Sequence, residues 1–76
     1  MATEIKVAPP FIKLEQFLKF ANIAETGGMA KLMITDGIVE VNGEVCMMRG
    51  KKLYNNDRVS INFEEETEEY ICLIEE

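Results

Sequence analysis

The chain has 76 residues, of which 47% are apolar and 29% are charged, and its formal net charge at pH 7 is −6. A chain of this length forms one domain with a modest core, and no apolar run approaches the roughly 20 residues that cross a bilayer. The presence of only two cysteines and no histidine argues against a zinc site, because such sites usually take four Cys or His ligands.

The start of the chain bears on its compartment. Residues 1–6 have neither the basic start nor the apolar centre of a signal peptide, so we expect a cytoplasmic protein. Separate cysteines are usually reduced in that compartment. We therefore expect Cys46 and Cys72 to be free thiols that are partly buried.

The negative charge is concentrated at one end of the chain. Residues 64–76 hold seven acids and no base, whereas residues 1–63 hold all eight bases against seven acids, a balance of 8 − 7 = +1. Because charge contacts at physiological salt are short-range, this distribution matters more than the total. The body of the protein can therefore still bind an anion such as nucleic acid.

Two amphipathic helices are predicted in the first half of the chain. A short strand over 4–7 is stopped by Pro9 and Pro10, because proline cannot donate a ladder hydrogen bond. The first helix begins near Lys13 and ends near Asn22, since apolar residues then recur at the i, i+3, i+4 and i+7 spacing of one helix face. These apolar residues are Leu14, Phe17, Leu18 and Ala21.

Thr26 predicts the start of the second helix, because its hydroxyl can accept a hydrogen bond from a first-turn N–H, and Gly37 suits the position after its end. Gly27 and Gly28 are poor helix formers, costing up to about 1 kcal/mol each in a helix interior. Two explanations are open for them. They allow either tight packing against the first helix or an anion seat at exposed N–H groups, where the helix dipole is positive. The buried residues of this helix are predicted to be Ala30, Met33 and Ile34.

The second half of the chain is predicted to be β-structure. Asn42 followed by Gly43 is a strong signal for a two-residue hairpin turn between strands over 38–41 and 44–47. After the hairpin come a basic loop over 47–52, a turn over 55–57, a strand over 58–63, an acidic loop over 64–69 and a final strand over 70–76 that pairs with the N-terminal strand.

Together these elements predict a single α+β domain over 1–76, with two packed helices on a small bent antiparallel sheet that has extra N- and C-terminal strands. Alternation in the strand over 58–63 places Val59, Ile61 and Phe63 on one face. The rings of Tyr54 and Phe63 are expected to lie in the core, although the sheet face that carries them and the stacking of an aromatic ring on a base are left open.

The ordered motifs resemble the S-four RNA-binding domain, also called the alpha-L motif, over about residues 11–61. The segments that carry the resemblance are Lys13-Leu14-Glu15 with Leu18, Thr26-Gly27-Gly28-Met29-Ala30-Lys31, Gly37-Ile38-Val39-Glu40-Val41-Asn42-Gly43-Glu44 and Asn56-Asp57-Arg58-Val59. More narrowly, the chain resembles the small stand-alone bacterial YaaA/YbcJ-like proteins. That likeness lies in residues 13–19, in Thr26-Gly27-Gly28 where Ser-Arg is usual, and in Arg49-Gly50-Lys51-Lys52-Leu53.

The resemblance implies that both helices and the hairpin form a basic surface for structured RNA, mostly ribosomal or transfer RNA. For the stand-alone group it implies a link to ribosomes or their assembly. The RNA-binding residues that it implies are Lys13, Thr26, Gly27, Gly28, Lys31, Arg49, Lys51 and Lys52.

The chain departs from the family pattern in three places. No arginine stands at Gly27 or Gly28, and Met29 replaces an acid that would form a capping box with Thr26. Residues 46–48 are apolar where a more basic loop is common. These departures bear on RNA affinity more than on the fold.

Three classes of function follow from these patterns. RNA binding is favoured, with ribosomal RNA, transfer RNA or a ribosomal subunit as partner. The alternative is a module that binds a basic ribosomal protein through its acidic residues, although a solvated loop also explains residues 64–69. Catalysis is not expected, because the sequence offers no nucleophile and base pair. We expect no cofactor, metal or membrane partner. A monomer is favoured, with strand pairing between copies left open.

Overall fold

The computed structural model describes residues 2–75. The single domain predicted over 1–76 includes Met1 and Glu76, which lie outside the described residues. The elements in chain order are β1 (Thr3–Val7), β2 (Ile12–Lys13), α1 (Leu14–Phe20), α2 (Gly27–Thr35), β3 (Val39–Val41), β4 (Glu44–Val45), β5 (Lys52–Leu53), β6 (Asp57–Asn62) and β7 (Thr67–Ile74). The α+β class is confirmed.

Five strands form one sheet in the order β1-β7-β6-β3-β4, and β2 pairs with β5 in a separate two-stranded ribbon. The prediction of an antiparallel sheet was wrong at one edge, because β1 runs parallel to β7, with Ile5 opposite Cys72. The predicted pairing of the final strand with the N-terminal strand is confirmed. Periodicity shows which residues share a face but gives no strand direction, so the parallel direction of this pairing was not readable from the sequence.

The final strand begins before residue 70, because Thr67 already pairs with Asn62 of β6 and Glu69 pairs with Ser60. Part of the predicted acidic loop is therefore strand, although glutamate has a low β propensity. Pairing with β6 overrides that preference. The last residue of the predicted strand over 70–76 lies outside the described residues.

The core forms where alternating side chains of the large sheet meet the buried faces of both helices. Val59 and Ile61 of β6, which were predicted to share one face, are both completely buried. Phe63 and Tyr54 are not core residues, since their side chains are 40% and 52% exposed. Phe63 lies past the end of β6, and Tyr54 follows the buried Leu53 on the outward side of the chain. The core residues from the helices include Leu14, Phe17, Leu18, Ala30 and Ile34.

The helix ends follow from their capping residues. The Thr26 hydroxyl accepts a hydrogen bond from the N–H of Met29 at 3.1 Å, which confirms the predicted start of α2. Gly37 has a φ of 77°, the left-handed conformation that ends a helix. α1 ends at Phe20, earlier than predicted, and Asn22 then takes a φ of 59°.

Asn42 and Asp57 connect the hairpin turn to the start of β6. The Asn42 Oδ1 accepts from the N–H of Arg58 at 2.9 Å, and its Nδ2 donates to the Asp57 Oδ1 at 3.1 Å. The Asp57 Oδ2 accepts from the N–H of Tyr54 at 2.7 Å. Asn42 and Gly43 both have positive φ, as the predicted two-residue turn requires. We call the hydrogen-bonded set of Asn42, Tyr54, Asp57 and Arg58 the turn clamp.

Replacing Asp57 by alanine removes two acceptors from the turn clamp. Hydrogen bonds to a charged group contribute about 1.5–3 kcal/mol each when buried, and Asp57 is only partly buried, so we expect Asp57→Ala to lower the free energy of unfolding by about 1–3 kcal/mol. Urea denaturation measures this change. Asp36→Ala, the same change of charge at an exposed residue, is the control and should alter stability little. Equal stability of the two variants would contradict a structural role for the clamp.

The fold also changes the ionisation of Tyr70 on β7. Its hydroxyl donates to the Glu68 Oε2 at 2.7 Å, and burial, this hydrogen bond and the charge of Glu68 together raise the pKa of Tyr70 from 10.0 to about 12. Because the folded protein holds this proton more tightly than the unfolded chain, the resulting stability is fully present below pH about 10. It is lost as the pH rises from about 10 to about 12.

Absorbance titration of a Tyr54→Phe variant isolates Tyr70, since the chain has two tyrosines. We expect a midpoint near pH 12 while circular dichroism still reports a folded protein. Adding Glu68→Gln should lower the midpoint because it removes the negative charge beside the phenol. A midpoint near 10 in the folded Tyr54→Phe protein would contradict the buried, hydrogen-bonded environment.

Candidate nucleic-acid interface

The predicted basic loop is attached by its backbone to the start of α1. The N–H of Leu14 donates to the carbonyl of Lys51 at 2.8 Å, and the N–H of Glu15 donates to the carbonyl of Arg49 at 3.2 Å. The N–H of Lys13 donates to the Gln16 Oε1 at 3.3 Å. First-turn amides of a helix lack partners within the helix, so the loop satisfies groups that side chains usually cap. The side chains of Arg49 and Lys51 remain exposed.

The start of α2 exposes bare backbone. A Cβ added at Gly27 would meet no atom within 4 Å, and one at Gly28 would meet only the Thr26 hydroxyl, at 3.7 Å. Tight packing against α1 is therefore the wrong explanation for these glycines. Within residues 2–75, the N–H groups of Gly27 and Gly28 have no hydrogen-bond acceptor. The anion seat stays a prediction, and it now has an accessible position.

Four of the predicted residues come together beside that backbone. Gly27, Gly28, Lys31 and Arg49 line a shallow depression of about 450 Å³ between the two helices and the basic loop. We call it the helix depression. Its other lining residues are Glu15, Gln16 and Lys19.

Lys19 is a cation that sequence reasoning did not include in the site. It lies on the exposed face of α1, four residues after Glu15 and three after Gln16, and residues at these spacings are neighbours on a helix. Neither Glu15 nor Gln16 was a predicted site residue, so this spacing alone did not indicate that Lys19 belongs to the site. The depression therefore combines three cations with one carboxylate.

The remaining predicted cations lie outside the helix depression. Lys51 lines a second hollow, of about 580 Å³, beside the hairpin and its apolar residues Val45, Met47 and Met48. Lys13 and Lys52 are directly opposite each other on the β2–β5 ribbon. Thr26 lies at the start of α2, with its hydroxyl already used as a cap. The predicted residues thus fall into three groups: those at the helix depression together with Thr26, Lys51 at the second hollow, and Lys13 with Lys52 on the ribbon.

The described residues also bear on other kinds of site. No three His, Cys, Asp or Glu side chains in residues 2–75 are grouped so that they could hold a metal ion. In the same part of the chain no helix is both long and apolar enough to span a membrane. Both cysteines are free, with Cys46 partly exposed and Cys72 buried, as expected. Burial, followed by the charge of Asp57, raises the pKa of the Cys72 thiol.

Comparison with known proteins agrees with the motifs and the fold. Residues 5–70 match the family model described as S4 domain. The chain belongs to the S4 domain family. This confirms the predicted resemblance and extends it at both ends beyond residues 11–61. The chain is also similar to the probable ribosome maturation protein RlbA of Bacillus subtilis, with 44% identity over 61 residues that cover 80% of this chain and 86% of the relative.

A substitution at Gly28 tests the predicted anion seat directly, because a Cβ fits there without meeting the rest of the protein closely. Gly28→Ala should raise the free energy of unfolding, by up to about 1 kcal/mol, because alanine is the better helix former. The same substitution places a methyl group beside the exposed N–H groups. If these groups are an anion seat for RNA phosphate, binding to a ribosomal RNA fragment should weaken several-fold.

Thr35→Ala is the matched control at the other end of α2, where the Thr35 hydroxyl only bonds back to the helix carbonyls of Lys31 and Leu32. It should leave RNA binding unchanged. Filter binding measures the affinity for RNA, and thermal denaturation measures the stability of each variant. If Gly28→Ala binds RNA as well as the parent, the backbone at this helix start is not an anion seat.

Proposed function

We propose that the protein binds structured RNA without catalysing a reaction, and that it acts on ribosomal RNA during ribosome assembly or on a ribosomal subunit. The observation that carries this proposal is the S4 domain match over residues 5–70. The name of the Bacillus subtilis relative, a probable ribosome maturation protein, supports the link to ribosomes. Such a role would place the protein in the cytoplasm.

The separation of charge in the fold explains how a chain of net charge −6 can bind RNA. β6 has six residues and spans roughly 17 Å at about 3.4 Å per residue. The turn clamp and the basic loop lie near its start, and the acidic turn over 63–66 follows its end. Because the Debye length is about 8 Å at physiological salt, the acidic turn does not neutralise the basic groups.

The direction of α2 reinforces this separation. The carbonyl of Ile38, just after α2, accepts from the N–H of Asn62 at 2.8 Å, so the C-terminal end of the helix lies near the acidic turn. Its N-terminal end lines the helix depression with Arg49. The positive end of the helix dipole therefore faces the cations, where an RNA phosphate would be most stabilised.

The proposed mechanism is electrostatic. Lys19, Lys31 and Arg49 contact phosphates at the helix depression, where the N–H groups of Gly27 and Gly28 add a backbone contact. Phosphate contacts position a protein without reading base sequence. Selectivity then comes from the shape of the RNA, because duplex RNA is recognised mainly through sugar and phosphate contacts across its minor groove. The cations of the other two groups extend the contact, namely Lys13, Lys51 and Lys52.

A triple variant, Lys31→Glu/Arg49→Glu/Lys51→Glu, tests the proposal. Binding of the parent to ribosomal RNA fragments should weaken as salt rises, and the variant should bind at least about tenfold more weakly. Its dependence of log K on log salt should be shallower by about 0.7–0.9 for each lost phosphate contact. Circular dichroism should show that the variant is folded, since all three side chains are exposed.

A comparison of single substitutions controls for total charge. Arg49→Glu should weaken binding clearly, whereas Lys6→Glu on β1, the same change of charge, should have a small effect. Equal binding by the triple variant and the parent would contradict the assignment of this surface. Absence of RNA binding by the parent would contradict the proposed function and favour the alternative, in which the acidic C-terminal part with residues 64–69 binds a basic ribosomal protein.

A further inference from the structure

The β2–β5 ribbon carries outward side chains that phosphate contact alone does not explain. Ile12 is opposite Leu53 and both pack on the core, so the adjacent pair, Lys13 opposite Lys52, is directed to the other face. The same alternation puts Phe11 and Tyr54 on that outward face. Their ring centroids are 6.1 Å apart with an interplanar angle of 53°. We call these four residues the ribbon face.

The ribbon face has a local electrostatic cost. Two lysines directly opposite each other on paired strands repel and destabilise the pairing. The Lys52 Nζ lies 4.8 Å from the centroid of the Phe11 ring, and this cation–π contact offsets part of the repulsion. A bound anion between Lys13 and Lys52 would offset the remaining repulsion between the two lysines.

Tyr54 is presented to solvent on a rigid backbone. Its side chain is 52% exposed, so it contributes little to the core. Its N–H donates to the Asp57 Oδ2 at 2.7 Å and its carbonyl accepts from the Asp57 N–H at 3.1 Å. The turn clamp thus holds both backbone groups of a residue whose ring is largely free.

An exposed aromatic ring beside two cations fits a nucleotide, because bases stack on aromatic side chains while cations hold the neighbouring phosphates. Bases inside a duplex are already stacked, so the bases that are available belong to bulges, loops and ends. We infer that the ribbon face binds an unpaired nucleotide of the RNA, with its base stacked on Tyr54 and adjacent phosphates at Lys13 and Lys52.

This inference rests on the proposed RNA binding and makes it more specific, since the target becomes structured RNA interrupted by an unpaired base. Charge favours RNA over a protein as the occupant. Two of the four residues of the ribbon face are charged. Both are lysines, which complement a polyanion.

Two hairpin RNAs of the same stem test the inference, one fully paired and one with a single bulged 2-aminopurine. The parent should bind the bulged hairpin about tenfold more tightly, and the probe's fluorescence should be quenched when it stacks. Tyr54→Leu should abolish both the preference and the quenching while leaving affinity for the paired hairpin unchanged. Tyr54→Phe, which keeps the ring, should retain both. Phe63→Leu, at another exposed aromatic residue, is the matched control and should behave as the parent.

The outcomes separate this inference from the proposed function. Equal binding of both hairpins by the parent overturns the inference and leaves RNA binding standing. Loss of affinity for both hairpins in Tyr54→Leu also overturns it, since the ring would then not act on the unpaired base. An unaffected Tyr54→Leu protein overturns the inference as well, because the preference for the bulged hairpin would then not depend on the Tyr54 ring. Failure of the parent to bind either hairpin contradicts the proposed function itself.

Discussion

The first amide groups of α1 have no acceptors within the helix, and the basic loop supplies them with backbone carbonyls. These hydrogen bonds fix the positions of Arg49 and Lys51 through main-chain atoms alone. The side chains of both residues therefore remain exposed and can contact a ligand. The same hydrogen bonds also explain why the loop and the helix start occur together in one structural unit. The β2–β5 pairing, with Lys13 opposite Lys52, adds to these contacts and holds the end of the loop beside the start of α1.

The turn clamp has a similar effect on the other side of the loop. Asn42 and Asp57 are 15 positions apart in sequence, yet one hydrogen bond joins them. Asn42 also accepts from the N–H of Arg58 across the two turns, and Asp57 accepts from the N–H of Tyr54 within its own turn. The segment between them contains the hairpin strand β4, the basic loop and β5. Its flanks are therefore fixed at the clamp while its centre is fixed at α1. A loop held at these points loses little further conformational entropy when it meets a ligand.

Local signals in the sequence were sufficient for the helices, the hairpin turn and most of the core, because each depends on neighbouring residues. Thr26, Gly37 and Asn42-Gly43 behave as their chemistry predicts. The parallel pairing of β1 and the β2–β5 ribbon were not predictable, since two-residue strands have no period and strand direction leaves no local pattern. For the site, the sequence identified the basic residues and the glycines, but the three groups that these residues form depend on tertiary contacts. Lys19 and Tyr54 gain their significance only from neighbours that are distant in sequence.

The parallel pairing of β1 with β7 has a consequence for how the chain folds. Thr3 is opposite Tyr70 and Val7 is opposite Ile74, so this contact encloses nearly the whole domain within one loop. Closing so long a loop costs more entropy than closing the hairpins, and contacts of this range slow folding. We therefore expect β1 to join the sheet late, after a nucleus of the helices with β3 and β6 has formed. Until then β7 presents an unpaired edge, and the glutamates at its start oppose edge-to-edge association with another copy.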